Sequence, residues 1–179
     1  MDDIVKAALR KWPQVPHCWG WLALSARGDW YMRDERTQAT GPFPQVRGSR
    51  IVHERLLAFI RRNYMHDESG AWYFQNGPQR VYVELEAAPL VWRVHDAPPW
   101  PLTAHTGAPA RAGQAWLDEQ GRLFLDTAIG FGLVHTLDMG AAAQAVEAGA
   151  WVPREMRWAD MPARFGYVLA PQPPGGPAP

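Results

Sequence analysis

Residues 80–86 alternate strictly. Val81, Val83 and Leu85 fall on one side of an extended chain, and Arg80, Tyr82, Glu84 and Glu86 on the other. That period of two is the mark of a half-buried strand, with its apolar side turned to the core. Asn76-Gly77 just ahead is a strong hairpin signal, and Pro78 fits only in or beside the turn. Two other stretches repeat the scheme. Residues 19–25 and 30–34 flank a turn at 26–29, and residues 115–117 and 122–126 flank one at 118–121. Each unit opens on an aromatic, turns through a glycine and closes on an alternating apolar strand ending in an acid. Further strands are predicted at 90–95, 131–137 and 163–169.

The helical period occurs three times. Ile4, Val5, Ala8, Leu9 and Trp12 give a short helix capped by Asp2 or Asp3 and ended by Pro13. Val52, Leu56, Phe59, Ile60 and Asn63 form a stripe over residues 50–64, with Ser49 as its N-cap. Asp138 starts an alanine-rich helix reaching Ala148, stopped by Gly149. Residues 37–49 read as loop, and residues 153–162 as irregular or a helical turn. The pattern predicts an α+β fold class of repeated β-hairpins with short helices, in two small closely packed halves. The N-terminal half covers 1–95, a Pro/Ala/Gly-rich linker covers 96–114, and the C-terminal half covers 115–170. The tail at 171–179, PQPPGGPAP, is expected to be disordered because it has too little to bury.

Composition narrows the function classes. The 179 residues are 47% hydrophobic, ample for a core, and include ten tryptophans that either pack the interior or meet a ligand. Formal net charge is zero, which argues against broad capture of nucleic acid or of an anionic membrane. The charge is segregated: residues 1–63 carry eleven Lys/Arg against six Asp/Glu, and residues 64–147 four against ten. Cys18 is the one cysteine, so no internal disulfide forms. The acidic, amphipathic start lacks the basic and apolar regions of a signal peptide, and no apolar run approaches the ~20 residues of a membrane span. The expected location is cytoplasmic.

Candidate chemistry is sparse. The six histidines show no HxH or HxxxH spacing, and no CxxC is present, so no metal site is expected and no cofactor either. His17-Cys18 is a poor chelating pair, and Cys18 reads as a small residue at a strand start. Gly130-Phe131-Gly132 lies between strands and cannot set a phosphate on a helix N-terminus. Arg33, Arg36, Arg61 and Arg62 raise anion binding, since guanidinium matches a carboxylate or phosphate with two parallel bonds; a solvated face is the plain alternative. The same choice applies to Arg80, Tyr82 and Glu84: an ordinary wet sheet surface, or a small polar binding surface.

MRDERTQ at 32–38, a helix ending in FIRRNY at 59–64, and GAWYFQNGPQRVYVELEAAP at 70–89 resemble a family of uncharacterised proteobacterial proteins, a domain of unknown function, over roughly residues 1–95. A second, more distant likeness is to another uncharacterised bacterial family. It is carried by Gly28-Asp29-Trp30-Tyr31, by residues 56–62, by Glu84 to Pro89 and by Arg164-Phe165-Gly166-Tyr167. That second likeness implies an α+β fold of two halves built from repeated motifs, a ligand held between the halves and a role in signalling.

The expected function is a non-catalytic small-ligand binding or sensing module with a cleft between its halves. Arg33, Asn63, Tyr73, Arg80, Tyr82 and Glu84 are the candidate ligand-binding residues, and no catalytic residue is assigned. The expected partner is a small anionic ligand, with no nucleic acid and no membrane; the sequence names no protein partner. The alternatives are an enzyme with Glu84 or Glu86 as general base, which needs a raised pKa, and a protein–protein adaptor anchored by exposed tryptophans.

Overall fold

The computed structural model describes residues 1–175. The chain divides into two compact units. Unit 1 comprises residues 1–25, 29–86 and 167–179; unit 2 comprises 26–28 and 87–166. The fold is α+β, each unit having its own sheet. The expected tail falls partly at 171–175, where Pro171 is buried; residues 176–179 lie outside the described residues.

Unit 1 holds α1 (Asp3–Lys11), β1 (Cys18–Leu24), β2 (Trp30–Met32), α2 (Glu35–Thr40), β3 (Ser49–Arg50), α3 (Glu54–Arg62), β4 (Tyr64–His66), β5 (Trp72–Asn76) and β6 (Gln79–Leu85). Its strands run in the order β3-β2-β1-β6-β5-β4. The central β1–β6 pair is parallel, and the others are antiparallel. Both predicted hairpins form. Asn76 pairs with Gln79 around Gly77, whose φ of +58° is a conformation that glycine supplies without strain.

Unit 2 holds β7 (Leu90–Val94), β8 (Leu102–Ala104), β9 (Pro109–Ala110), β10 (Ala115–Leu117), β11 (Leu123–Thr127), β12 (Gly130–Val134), α4 (Met139–Glu147), β13 (Arg154–Glu155) and α5 (Met161–Phe165). The sheet order is β13-β10-β11-β12-β7-β8-β9. The third hairpin forms as β10–β11, with Trp116 opposite Phe124. Residues 96–114 contain β8 and β9; Leu102 and Ala104 are buried on one side of β8, a short alternation hidden among prolines.

Several local expectations change. The second helix begins at Glu54 rather than Arg50, because Ser49 and Arg50 pair with β2 and Ile51 donates to the Trp30 carbonyl at 2.8 Å. His53, not Ser49, is the N-cap, its Nδ1 accepting from the Leu56 N–H at 3.3 Å. Residues 37–40, the start of the stretch expected to be loop, belong to α2, since Asp34 accepts from both the N–H and hydroxyl of Thr37, at 2.9 and 2.7 Å. The strand expected at 163–169 is instead α5 followed by chain without regular secondary structure. Pro162 suits a first helical turn, and Gly166, with φ of +64°, ends it.

Most of the tryptophans pack the interior: Trp30, Trp72, Trp92, Trp100, Trp116 and Trp151 are all buried. Gly130-Phe131-Gly132, expected between strands, opens β12 itself, and Gly132 shows why glycine stands there. A Cβ there would lie 2.5 Å from Trp92 Nε1 and 2.7 Å from the Leu90 carbonyl oxygen. The glycine serves the approach of β12 to β7, so Gly132→Ala is expected to cost about 1–3 kcal/mol, read as a lower urea midpoint. Among the described residues no helix is long and apolar enough to cross a membrane.

Candidate functional site

On β6 the alternation places Arg80, Tyr82 and Glu84 along one face of the unit 1 sheet, with about 13 Å from the first to the last. That face is not simply wet. Tyr82 is 7% exposed, less than Arg80 or Glu84 beside it, and Tyr73, its cross-strand partner on β5, is 5% exposed. The cover comes from β1. Cys18 pairs with Val81 and Leu22 with Val83, so three residues of β1 stand against one of β6. Gly20 sits in this bulge with φ of +76°. The bulge carries Trp19 over Tyr82, the two rings stacked at 5.2 Å and 10°. His17 adds a ring 6.0 Å from each of them.

At one end of this face, the Arg80 guanidinium lies 4.5 Å from the Tyr73 ring centroid, a cation–π contact. Burial works against its charge, but the Tyr82 hydroxyl, together with Tyr73 and Asp67, outweighs burial and holds the guanidinium above its ordinary pKa. Among the described residues, no carboxylate oxygen comes within ion-pair distance of Arg80. An open hollow of about 580 Å³ lies here, lined by His66, Asp67, Glu68, Ser69, Tyr73 and Arg80.

Asp67 organises the wall of that hollow. Its Oδ1 accepts from the Ser69 N–H and hydroxyl and from the Ala71 N–H, and its Oδ2 from the Tyr82 hydroxyl at 3.0 Å. Burial would raise its pKa, but these bonds prevail and hold it below the usual range. His17 is held below its ordinary value by burial and then by the Arg80 charge, so it sits neutral beside that cation.

At the other end, Glu84 receives a hydrogen bond from Arg33 Nη1. Arg33 is 2% exposed and also donates to the Gly41 carbonyl at 2.6 Å and the Val46 carbonyl at 3.2 Å. Its guanidinium is thus engaged on three sides. Burial raises the Glu84 pKa, and the opposing pull of Arg33 does not cancel that. A second open hollow, of about 540 Å³, borders Arg33, Glu84, Gly20 and Gln38. Between the two ends a hollow of about 280 Å³ lies against Trp19 and Tyr82. It shares Asp67 and Ser69 with the first hollow and Trp19 with the second, making one trough along β6.

Of the six candidate residues, all lie in unit 1. The structure brings Tyr73, Arg80 and Tyr82 together and joins Arg33 to Glu84. Asn63 lies apart and fully buried. Its Oδ1 accepts from the Asp2 N–H at 2.8 Å and its Nδ2 donates to the Phe59 carbonyl at 2.9 Å, tying the start of α1 to the end of α3. Glu86, the other candidate base, pairs with Arg47 at 2.8 Å. Sequence reasoning missed Trp19, His17 and Asp67. A glycine between two strand tryptophans is a bulge signal that could have found the first; Asp67 read only as part of a turn. Among the described residues, no group of three or more His, Cys, Asp or Glu side chains is placed to hold a metal.

Two solved structures are similar to this chain. One is a DUF1285 family protein from Silicibacter pomeroyi DSS-3, 14% identical, with a TM-score of 0.49 over 69% of this chain and 68% of that one. The other is a DUF1285 family protein from Shewanella baltica OS155, 15% identical, with a TM-score of 0.47 over 69% of this chain and 91% of that one. Each is a distant likeness. No curated protein matches the chain. The family model DUF2944, described as "Protein of unknown function (DUF2946)", matches residues 1–172, and the chain therefore belongs to that family of proteins of unknown function.

Proposed function

We propose that the chain is a cytoplasmic, non-catalytic binding or sensing module that takes a small ligand bearing an anionic group at the Arg80 end of the unit 1 trough. One observation carries the reading: Arg80 is a half-buried cation, held over Tyr73 at the wall of an open hollow, with no carboxylate of the described residues within ion-pair distance. Partial desolvation of a charge costs free energy that its own protein normally offsets with an opposite charge. Here that place is open to a ligand carboxylate or phosphate, which guanidinium binds with two parallel bonds. Asp67 and Glu68 border the same hollow, so a ligand with one anionic group and a nearby hydrogen-bond donor suits it better than a polyanion.

The enzyme reading has less support. Glu84 has the raised pKa that a general base needs, but its carboxylate is held by Arg33, and a base must release such a partner to take a proton. The adaptor reading draws on a separate place in unit 1, where Trp21, Met32 and Leu56 are partly exposed around an apolar hollow of about 250 Å³.

The test is a thermal-shift screen with small carboxylates, amino acids and phosphate esters, on the natural chain and on Arg80→Ala. A ligand at a hundred times its Kd stabilises the native state by about 2.7 kcal/mol. Compounds that raise the natural chain's transition are expected to lose that effect in Arg80→Ala, whose own transition stays close to that of the natural chain. An equal shift in both proteins would remove Arg80 from the site.

A further inference from the structure

The middle of the trough is walled on one side by the chain's own C-terminal segment. Beyond α5, the Val168 N–H donates to the Gly70 carbonyl at 3.2 Å and the Leu169 carbonyl accepts from the Leu85 N–H at 2.7 Å. Val168 packs on the cluster of Ala71, Tyr73 and Tyr82, alongside Trp19. The next residues read Ala170-Pro171-Gln172-Pro173-Pro174. Pro171 and Gln172 line both the Trp19–Tyr82 hollow and the Arg33–Glu84 hollow; Pro174 borders the first and Pro173 the second. Pro171 is buried, whereas Gln172, Pro173 and Pro174 are exposed.

Two features separate this segment from ordinary chain packing. Among the described residues, 170–172 make no hydrogen bond, and the chain then turns at Pro174-Gly175, Gly175 having φ of +81°. Their composition also matches the surface they lie on. Prolines fix φ and favour the polyproline II helix, which reaches its bound shape at low entropic cost. Grooves lined by aromatic rings recognise such segments, and here the rings are Trp19 and Tyr82.

We propose that this part of the trough is a docking groove for extended Pro-rich peptides, and that residues 170–173 lie along it in cis, ahead of the turn at Pro174-Gly175. The partner it fits is a Pro-rich segment presented by another chain, which displaces the internal one. The Arg80 hollow is not lined by this segment, so peptide docking stands independently of the small-ligand reading.

The test uses a fluorescein-labelled peptide repeating residues 168–175, followed by fluorescence anisotropy. A tethered segment competes at an effective concentration in the millimolar range, so the natural chain should bind the peptide poorly. Pro171→Gly combined with Pro173→Gly and Pro174→Gly weakens the internal occupant, and binding should tighten by about tenfold or more. Adding Trp19→Ala should abolish that binding, and a peptide with alanine at its prolines should not bind. If the triple variant fails to fold by circular dichroism, Pro173→Gly with Pro174→Gly alters only exposed prolines and should give a smaller gain of the same sign. A folded variant that binds no more tightly than the natural chain, or binding that survives Trp19→Ala, overturns the proposal.

Discussion

Arg33→Ala is expected to destabilise the protein by about 3–5 kcal/mol, the usual cost of breaking one side of a buried ion pair. Arg33 is 2% exposed, and its removal leaves Glu84 and the carbonyls of Gly41 and Val46 without the donor each now has. The loss should depend on pH. In the natural chain burial holds the Glu84 carboxyl above its ordinary 4.5, and Arg33 only partly opposes this. A raised folded pKa means that the native state binds the proton more tightly than the unfolded chain. The stability tied to Glu84 is therefore full below 4.5 and is lost as the pH climbs through the folded value. Without Arg33 that folded value rises further and the loss deepens. Urea unfolding at about pH 7 should show a larger penalty for Arg33→Ala than unfolding at about pH 4, where Glu84 is protonated in both states. A penalty that does not change with pH would mean that Glu84 is not what Arg33 compensates.

Trp92→Ala is the second large effect, expected to cost about 3–5 kcal/mol. Trp92 is 0% exposed on β7 in unit 2. Its Nε1 donates to the Leu125 carbonyl at 3.3 Å, and Gly132 gives it room on β12. Truncation leaves a cavity bounded by sheet backbone, which collapses poorly. Trp92→Phe keeps most of the volume and forfeits the hydrogen bond, so it should cost less than half as much by the same urea measurement. Equal costs would show that the bond to Leu125, rather than packing, dominates.

The hairpins were legible in the sequence because a turn glycine and an alternating strand are local signals. Asn76-Gly77 with residues 79–85 and Gly121 with residues 123–127 behave as their patterns predict. What escaped depends on pairing between distant residues. Ser49 and Arg50 look like a helix start until β2 is placed beside them. The strand expected at 163–169 had an acceptable pattern in ARFGYVL, but Pro162 and Gly166 bracket a helical turn, and Phe165 stacks on Phe131 at 3.8 Å.

The candidate site was legible in part for the same reason. Strand alternation alone puts Arg80, Tyr82 and Glu84 on one face. It cannot tell that Tyr82 is buried, since Trp19 reaches it through a bulge in a strand sixty residues earlier. Nor does it distinguish two arginines with opposite circumstances. Arg33, expected beside the ligand, is engaged by one carboxylate and two carbonyls, whereas Arg80 rests on a tyrosine ring with no carboxylate of the described residues within ion-pair distance.

That contrast is the central claim, and nitrogen-resolved NMR of the arginine side chains tests it directly. The Nε–Hε resonances of Arg80 and Arg33 are identified by their absence from Arg80→Lys and Arg33→Lys, and the natural chain is titrated with succinate, glycine and inorganic phosphate. The account predicts that at least one of these probes shifts Arg80 saturably, with a Kd below about 1 mM, while Arg33 stays fixed. An Arg80 resonance unmoved by all three probes, or a shift at Arg33 in its place, would contradict it.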